Sequence, residues 1–208
     1  MQIQTLAVGP LMTNCYLLQD ETAGVCAVID PGDEGARIAR AVADSGCALQ
    51  FILLTHGHYD HFTGLAELLR QYPDTPVYIQ PNDAADGAGG VYSLKAPRLD
   101  DAHQRWYREG DTLTLGSLTI RVLETPGHSQ GSVCLVVGDV IFSGDTLFLA
   151  SCGRTDFPGG DYRAMLQSLA RLGRMEGDYR VYPGHDRSTT LDYERQHNPY
   201  MRHALSLS

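Results

Sequence analysis

No stretch of this chain approaches 18 consecutive apolar residues, so the sequence offers no candidate membrane-spanning helix. The opening residues, Met1 to Leu6, lack both a basic start and an apolar core, and no signal peptide is expected. Cysteine is sparse. The five residues at 15, 26, 47, 134 and 152 are odd in number, widely spread and form no C-x-x-C. Cys15, Cys26 and Cys134 lie in strand-like apolar runs and read as small buried hydrophobes. A reduced, cytoplasmic protein is expected. Basic clusters are missing too. The formal charge is -9 with no Lys/Arg-rich run, and two bound divalent ions would still leave the chain acidic. That balance argues against a general electrostatic grip on nucleic acid. No repeat or linker interrupts the 208 residues, which read as one domain, 1–208.

What is present is concentrated. Residues 55–64 read Thr-His-Gly-His-Tyr-Asp-His-Phe-Thr-Gly, placing His56, His58, Asp60 and His61 within six residues. The unbroken apolar run 51–54 ahead of them reads as a buried strand. Leu65, Leu68, Leu69 and Tyr72 behind them recur at helical spacing. The cluster therefore sits on a loop between a core strand and a helix, rigidly supported and open on one side. An ordinary polar loop is the competing reading, but solvation alone does not explain three His and an Asp at this spacing. Imidazole with carboxylate suits zinc, iron or manganese, whereas calcium or magnesium would use oxygen ligands only.

Along the rest of the chain, strands are expected at 3–8, 15–18, 25–29, 51–54, 77–79, 112–115, 118–124, 132–137, 140–143 and 179–182. Gly116-Ser117 and Gly138-Asp139 read as hairpin turns. Asp33 is expected to cap an Ala-rich helix ending near Ser45, with Gly46 just past its end. A helix from Asp161 to about Arg174 should bury Tyr162, Met165, Leu166, Leu169 and Leu172. Residues 190–205 read as helical with a break near Pro199. Residues 80–110, with Gly87-Ala-Gly-Gly90, Pro97 and the single Trp106, read as an irregular excursion with a short helix after Asn82, either functional or simply a solvated connection. Strands, helix, strands, helix, roughly twice over, suit two sheets packed face to face with helices outside.

Three further polar residues follow strands, each with Gly immediately before it: His128 in Thr-Pro-Gly-His-Ser, Asp145 in Ser-Gly-Asp-Thr and His185 in Tyr-Pro-Gly-His-Asp. Glycine lets the chain turn sharply and bring the next side chain toward a shared point. One such residue alone would read as structural; three after a histidine cluster do not. The set His56-x-His58-x-Asp60-His61, His128, Asp145, His185 resembles the ligand pattern of the metallo-β-lactamase superfamily across nearly the whole chain. The resemblance implies an αβ/βα four-layer sandwich with a two-metal site at one end. It implies that His56, His58 and His128 hold one metal, that Asp60, His61 and His185 hold the other, and that Asp145 bridges them. Class B1 and B2 β-lactamases place a Cys in the second site, whereas this chain has Asp145, as in hydrolases of the glyoxalase II type.

The segment Cys152-Gly-Arg-Thr-Asp-Phe157, with Gly159-Gly160-Asp161 behind it, resembles the short bacterial glyoxalase II-like hydrolases and equally the persulfide dioxygenases of the same superfamily. At 208 residues no helical C-terminal domain like that of full glyoxalase II is expected, and Arg187 stands where those enzymes carry Tyr. The resemblance implies a binuclear hydrolase of a small thioester, with two divalent ions, zinc foremost and iron or manganese as alternatives. Hydroxide between the metals would attack the acyl carbon, oriented by Asp60, and a thiolate would leave readily. Arg154 is a candidate for holding a substrate carboxylate, or else pairs with Asp156. Asp30, in Ile-Asp-Pro-Gly, is a candidate to hold a site histidine or its loop, or a simple turn cap. His103, His197 and His203 match no ligand position. The rival readings are a mononuclear iron persulfide dioxygenase using His56, His128 and Asp145, a lactone or β-lactam hydrolase, and a non-catalytic metal-binding protein. Nothing in the pattern specifies an oligomeric state.

Overall fold

The computed structural model describes residues 1–84 and 99–207. Fourteen strands form among these described residues, and most fall in two six-stranded sheets. The first sheet runs in chain order: β1 (Gln2–Val8), β2 (Thr13–Asp20), β3 (Val25–Ile29), β4 (Ala48–Leu53), β5 (Val77–Ile79) and β6 (Gln104–Trp106). Its first two pairings are antiparallel and the rest parallel. The second sheet contains β7 (Thr112–Leu115), β8 (Leu118–Glu124), β9 (Val133–Val137), β10 (Val140–Gly144), β13 (Arg180–Pro183) and β14 (Thr189–Thr190). Its order is β14-β13-β10-β9-β8-β7, with β10 and β13 parallel. A small hairpin of β11 (Leu147–Phe148) and β12 (Ser151–Cys152) stands apart.

Alternation along the strands divides the interior into three layers, as the two-residue period of a strand requires. Cys15, Leu17, Cys26 and Val28 face one side of the first sheet. There they pack against Ile38 and Val42 of α1 (Gly35–Ser45) and Leu65 and Leu68 of α2 (Leu65–Gln71). Tyr16, Leu18, Ala27 and Ile29 face the other side and meet Val133, Leu135, Val137 and Phe142 of the second sheet. Cys134, Val136 and Ile141 point outward again, toward Met165, Leu169 and Leu172 of α3 (Tyr162–Gly173) and toward the C-terminal helices α4 (Leu191–His197) and α5 (Pro199–Ser206). The result is the αβ/βα four-layer sandwich.

Four local expectations need correction. Asp33 does not cap α1: the residue before the helix is Glu34, in a left-handed conformation, and its side chain makes no cap bond. The orphan N–H of Ala36 is instead taken by the carboxylate of Glu67 on α2, at 2.9 Å. Tyr162 is exposed because it opens α3 at a solvent-facing position, while Met165, Leu166, Leu169 and Leu172 are buried. Residues 104–106 are a strand, not irregular chain; with Gln, Arg and Trp they carry no apolar alternation to announce it. The short helix expected after Asn82 lies earlier, as a single turn at Pro81–Asp83. The glycine run 87–90 and Pro97 fall outside the described residues. Asp161 caps α3, accepting the N–H of Ala164 at 2.9 Å, and Gly46 closes α1 at φ 69°, just past its end as expected.

Candidate metal centre

All seven candidate residues meet at one end of the sandwich, each just beyond the C-terminal end of a strand. His56, His58, Asp60 and His61 follow β4, His128 follows β8, Asp145 follows β10 and His185 follows β13. The glycines before the last three explain how the turns are made. Gly127 has φ 145° and Gly144 has φ 48°, both in the region that penalises a side chain. Gly184 is required by space: a Cβ there would press on the Asp145 carboxylate and on the ring of His61.

Three groups of potential ligand atoms each lie within 4.8 Å of one another: His56, His58 and His128; His56, His61 and Asp145; and Asp60, His61 and His185. Asp145 spans them. Its Oδ1 is 3.4 Å from His61 Nε2, and its Oδ2 is 3.4 Å from His128 Nε2 and 3.6 Å from His185 Nε2. Four buried atoms here, His56 Nε2, His58 Nε2, His61 Nε2 and Asp145 Oδ1, have no hydrogen-bond partner. Buried polar atoms left unpaired are costly, and three imidazole nitrogens with a carboxylate oxygen, each able to offer a lone pair, suit a cation. Imidazole and carboxylate are the ligands of zinc, iron and manganese sites.

The far side of three of the rings is fixed as well. His61 Nδ1 is 2.9 Å from Asp30 Oδ2, His128 Nδ1 donates to the Arg154 carbonyl at 2.7 Å, and His185 Nδ1 is 3.2 Å from the Leu11 carbonyl. Such acceptors set the tautomer and aim the other nitrogen at a shared point. Asp30, buried at φ 51°, also accepts the N–H and hydroxyl of Thr55, both at 2.7 Å, and so holds both the loop and a ring.

Sequence reasoning missed two more supports. Asn14 donates to the carbonyls of Pro183 and Asp186 at 3.0 and 2.8 Å, and Tyr16 donates to the Pro183 carbonyl at 2.5 Å, so β2 anchors the His185 loop. Asp83 reaches the loops of His58 and His128. Residues contributed by distant strands and turns carry no local sequence signal for such contacts.

Electrostatics separates the two halves. Burial, reinforced by the neighbouring imidazoles, pushes His56 well below its ordinary value and His58 down to about 3. Burial also disfavours charge on His61, yet Asp145, Asp30 and Asp60 together raise it to about 9. Asp60 stays well below the usual carboxylate range: burial opposes its ionisation, but the hydrogen bond from His185 and the charge of His61 outweigh it.

Arg154 is turned to Asp156, with Nε and Nη2 each 2.7 Å from a carboxylate oxygen, and its guanidinium lies 3.9 Å from the Phe157 ring centre. Phe157 in turn meets the His58 ring edge-on at 5.9 Å. Phe148 does the same to His185 at 6.1 Å, so the mouth of the site has a phenyl ring on each side. Arg187 is exposed. His103, His197 and His203 lie away from the cluster. His103 binds Asp100 and the Pro73 carbonyl, and His197 stacks on Tyr193.

Comparison with known proteins agrees with this arrangement. The family model "Metallo-beta-lactamase superfamily" matches residues 8–185. The hydroxyacylglutathione hydrolase GloC of Haemophilus influenzae (strain ATCC 51907 / DSM 11121 / KW20 / Rd) is 32% identical, covering 97% of this chain and 98% of its own. The crystal structure of BLEG-1, a B3 metallo-beta-lactamase, superposes with a TM-score of 0.83 at 30% identity, covering 96% of this chain and 99% of that one. TTHA1623, solved in a di-iron-bound form, gives a TM-score of 0.79 at 35% identity, covering 95% of this chain and 99% of that one. By fold, by sequence and by the residues gathered at one end of its sheets, the chain belongs to the metallo-beta-lactamase superfamily.

Proposed function

We propose that this chain is a binuclear metal-dependent hydrolase of small thioesters. The observation that carries the reading is Asp145, whose carboxylate lies within reach of both groups of potential ligands: Oδ1 beside His61, and Oδ2 beside both His128 and His185. In this reading His56, His58 and His128 hold one ion, Asp60, His61 and His185 hold a second, and Asp145 is shared. Zinc is the proposed metal; the di-iron form of TTHA1623 makes iron the first alternative to assay. The thioester assignment is supported by the likeness to GloC, a hydroxyacylglutathione hydrolase by name. The five cysteines are all free, which goes with the reducing cytoplasm proposed as its location.

When bound, two such ions supply Lewis acidity and a water acidified toward neutral pH. The chain's own groups do the rest. Asp60, kept ionised by His61 and His185, presents a carboxylate that can accept a proton from the attacking water and orient it. Thr13 fixes that carboxylate by donating to its Oδ2 at 3.3 Å. Phe148 and Phe157 place apolar rings beside His185 and His58. A thiolate needs little protonation to leave, since thiol pKa values lie near ~8.5, so a thioester makes small demands on acid catalysis. Arg154 stands at the same mouth, where a substrate carboxylate could replace Asp156 on its guanidinium.

The test is hydrolysis of S-lactoylglutathione and simpler acyl thioesters by metal-replete protein without oxygen, with His128→Ala as the control. Turnover lost in the variant establishes a thioester hydrolase. No turnover by protein shown to carry metal would sink the proposal. Oxygen uptake with glutathione persulfide, followed by a lactone and β-lactam panel, then separates the rivals.

A further inference from the structure

One carboxylate joins the two loops that carry His56, His58 and His128. Asp83 ends the single turn Pro81–Asp83 and is 2% exposed. Its Oδ2 accepts the N–H of Gly57 at 2.8 Å and the hydroxyl of Ser129 at 2.5 Å, and its Oδ1 accepts the N–H of Gly131 at 2.7 Å. Gly57 lies between His56 and His58; Ser129 directly follows His128. Beyond this clamp, His58 Nδ1 and His128 Nε2 approach to 2.7 Å.

The surroundings are built for a carboxylate. A Cβ added to Gly131 would lie 2.7 Å from the Asp83 carboxyl carbon, so that loop closes directly on it. All three contacts are donors. An amide of the same shape would turn its own N–H groups on at least one of them. Among the described residues no cation is paired with Asp83 in an ion pair. Its three accepted hydrogen bonds tie together two loops that carry candidate ligands, a geometry that points to positioning.

We propose that Asp83 is a positioning residue of the metal centre, setting the distance between the His56/His58 loop and the His128 loop. It touches no reacting atom; it acts through the histidines on either side. The inference rests on the metal reading of the site and is independent of the thioester substrate.

Cobalt(II) is the probe. Metal-free full-length protein is titrated with cobalt(II) and followed by its visible absorption. For Asp83→Asn, the first ion is expected to bind about 10–100-fold more weakly, with a changed visible band, as when a support behind a metal ligand is lost. Val42→Ala, which loosens α1 away from the site, is expected to lower Tm and leave cobalt affinity and spectrum unchanged. Should Asp83→Asn fail to fold, Ser129→Ala removes a single donor and is expected to weaken the first ion by about fivefold. An Asp83→Asn or Ser129→Ala protein with lowered Tm but wild-type first-ion affinity and spectrum would overturn the inference. Wild-type protein that binds no cobalt would overturn the metal reading and this inference together.

Discussion

Asp30 holds a left-handed backbone conformation that non-glycine residues seldom adopt, and it spends that strain on three donors, two from Thr55 and one from His61. Asp30→Asn keeps the size but sets an amide N–H against at least one of those donors. It is expected to cost about 1–3 kcal/mol of stability and to weaken binding at the Asp60, His61 and His185 group about 10–100-fold. Competition with a chromophoric chelator, alongside a far-ultraviolet spectrum showing an intact fold, checks this. Unchanged affinity would reduce Asp30 to a turn cap. At this scale the seven candidate residues that the fold brings together were legible in the sequence. Four stand in one short run, and the other three each follow a strand and a glycine. Asp30 was half legible because it ends an apolar strand next to Pro31. Asp83 and Asn14 were not, because their partners lie 26 to 172 residues away and the residues themselves look like ordinary loop and strand polar groups.

At the scale of elements, β6 shows what short strands conceal. Its pairing with β5 is fixed by contacts at its start, where His103 bonds Asp100 and the Pro73 carbonyl just beyond α2. The hydrogen bond to Asp100, helped by that carbonyl, raises the pKa of His103 above its ordinary value. A raised histidine stabilises the fold fully below the unfolded value of about 6.5, and that contribution is lost as pH rises through the folded value. The Tm difference between wild type and His103→Ala is therefore expected to be largest near pH 5.5 and to shrink by pH 9. A difference that grows with pH would contradict the assignment. Elements with a long apolar period, such as β8, β9 and α3, were readable from sequence to within a residue or two. The exceptions were two-residue strands such as β11 and β14, too short to show an apolar period, and the start of α1, whose cap comes from α2 through Glu67.

At the scale of the whole molecule, the site draws on both sheets, so emptying it should be felt throughout. Removing metal with a chelator is expected to lower Tm by about 5–10 °C relative to protein held at about 100 times Kd, in a single transition. Scanning calorimetry with and without chelator measures it, and an unchanged Tm would mean that no ion is held by the folded form. The four-layer order itself was legible, since alternating strands followed by amphipathic helices leave few other ways to bury three apolar faces. The same gathering of loops sets a timetable for biosynthesis. A growing chain that has reached residue 128 has all of His56, His58 and His128, whereas the group containing His185 lacks a member until 57 further residues are added. On the proposed two-ion reading, a site for the first ion is therefore complete in the chain earlier in synthesis than a site for the second, which waits for His185.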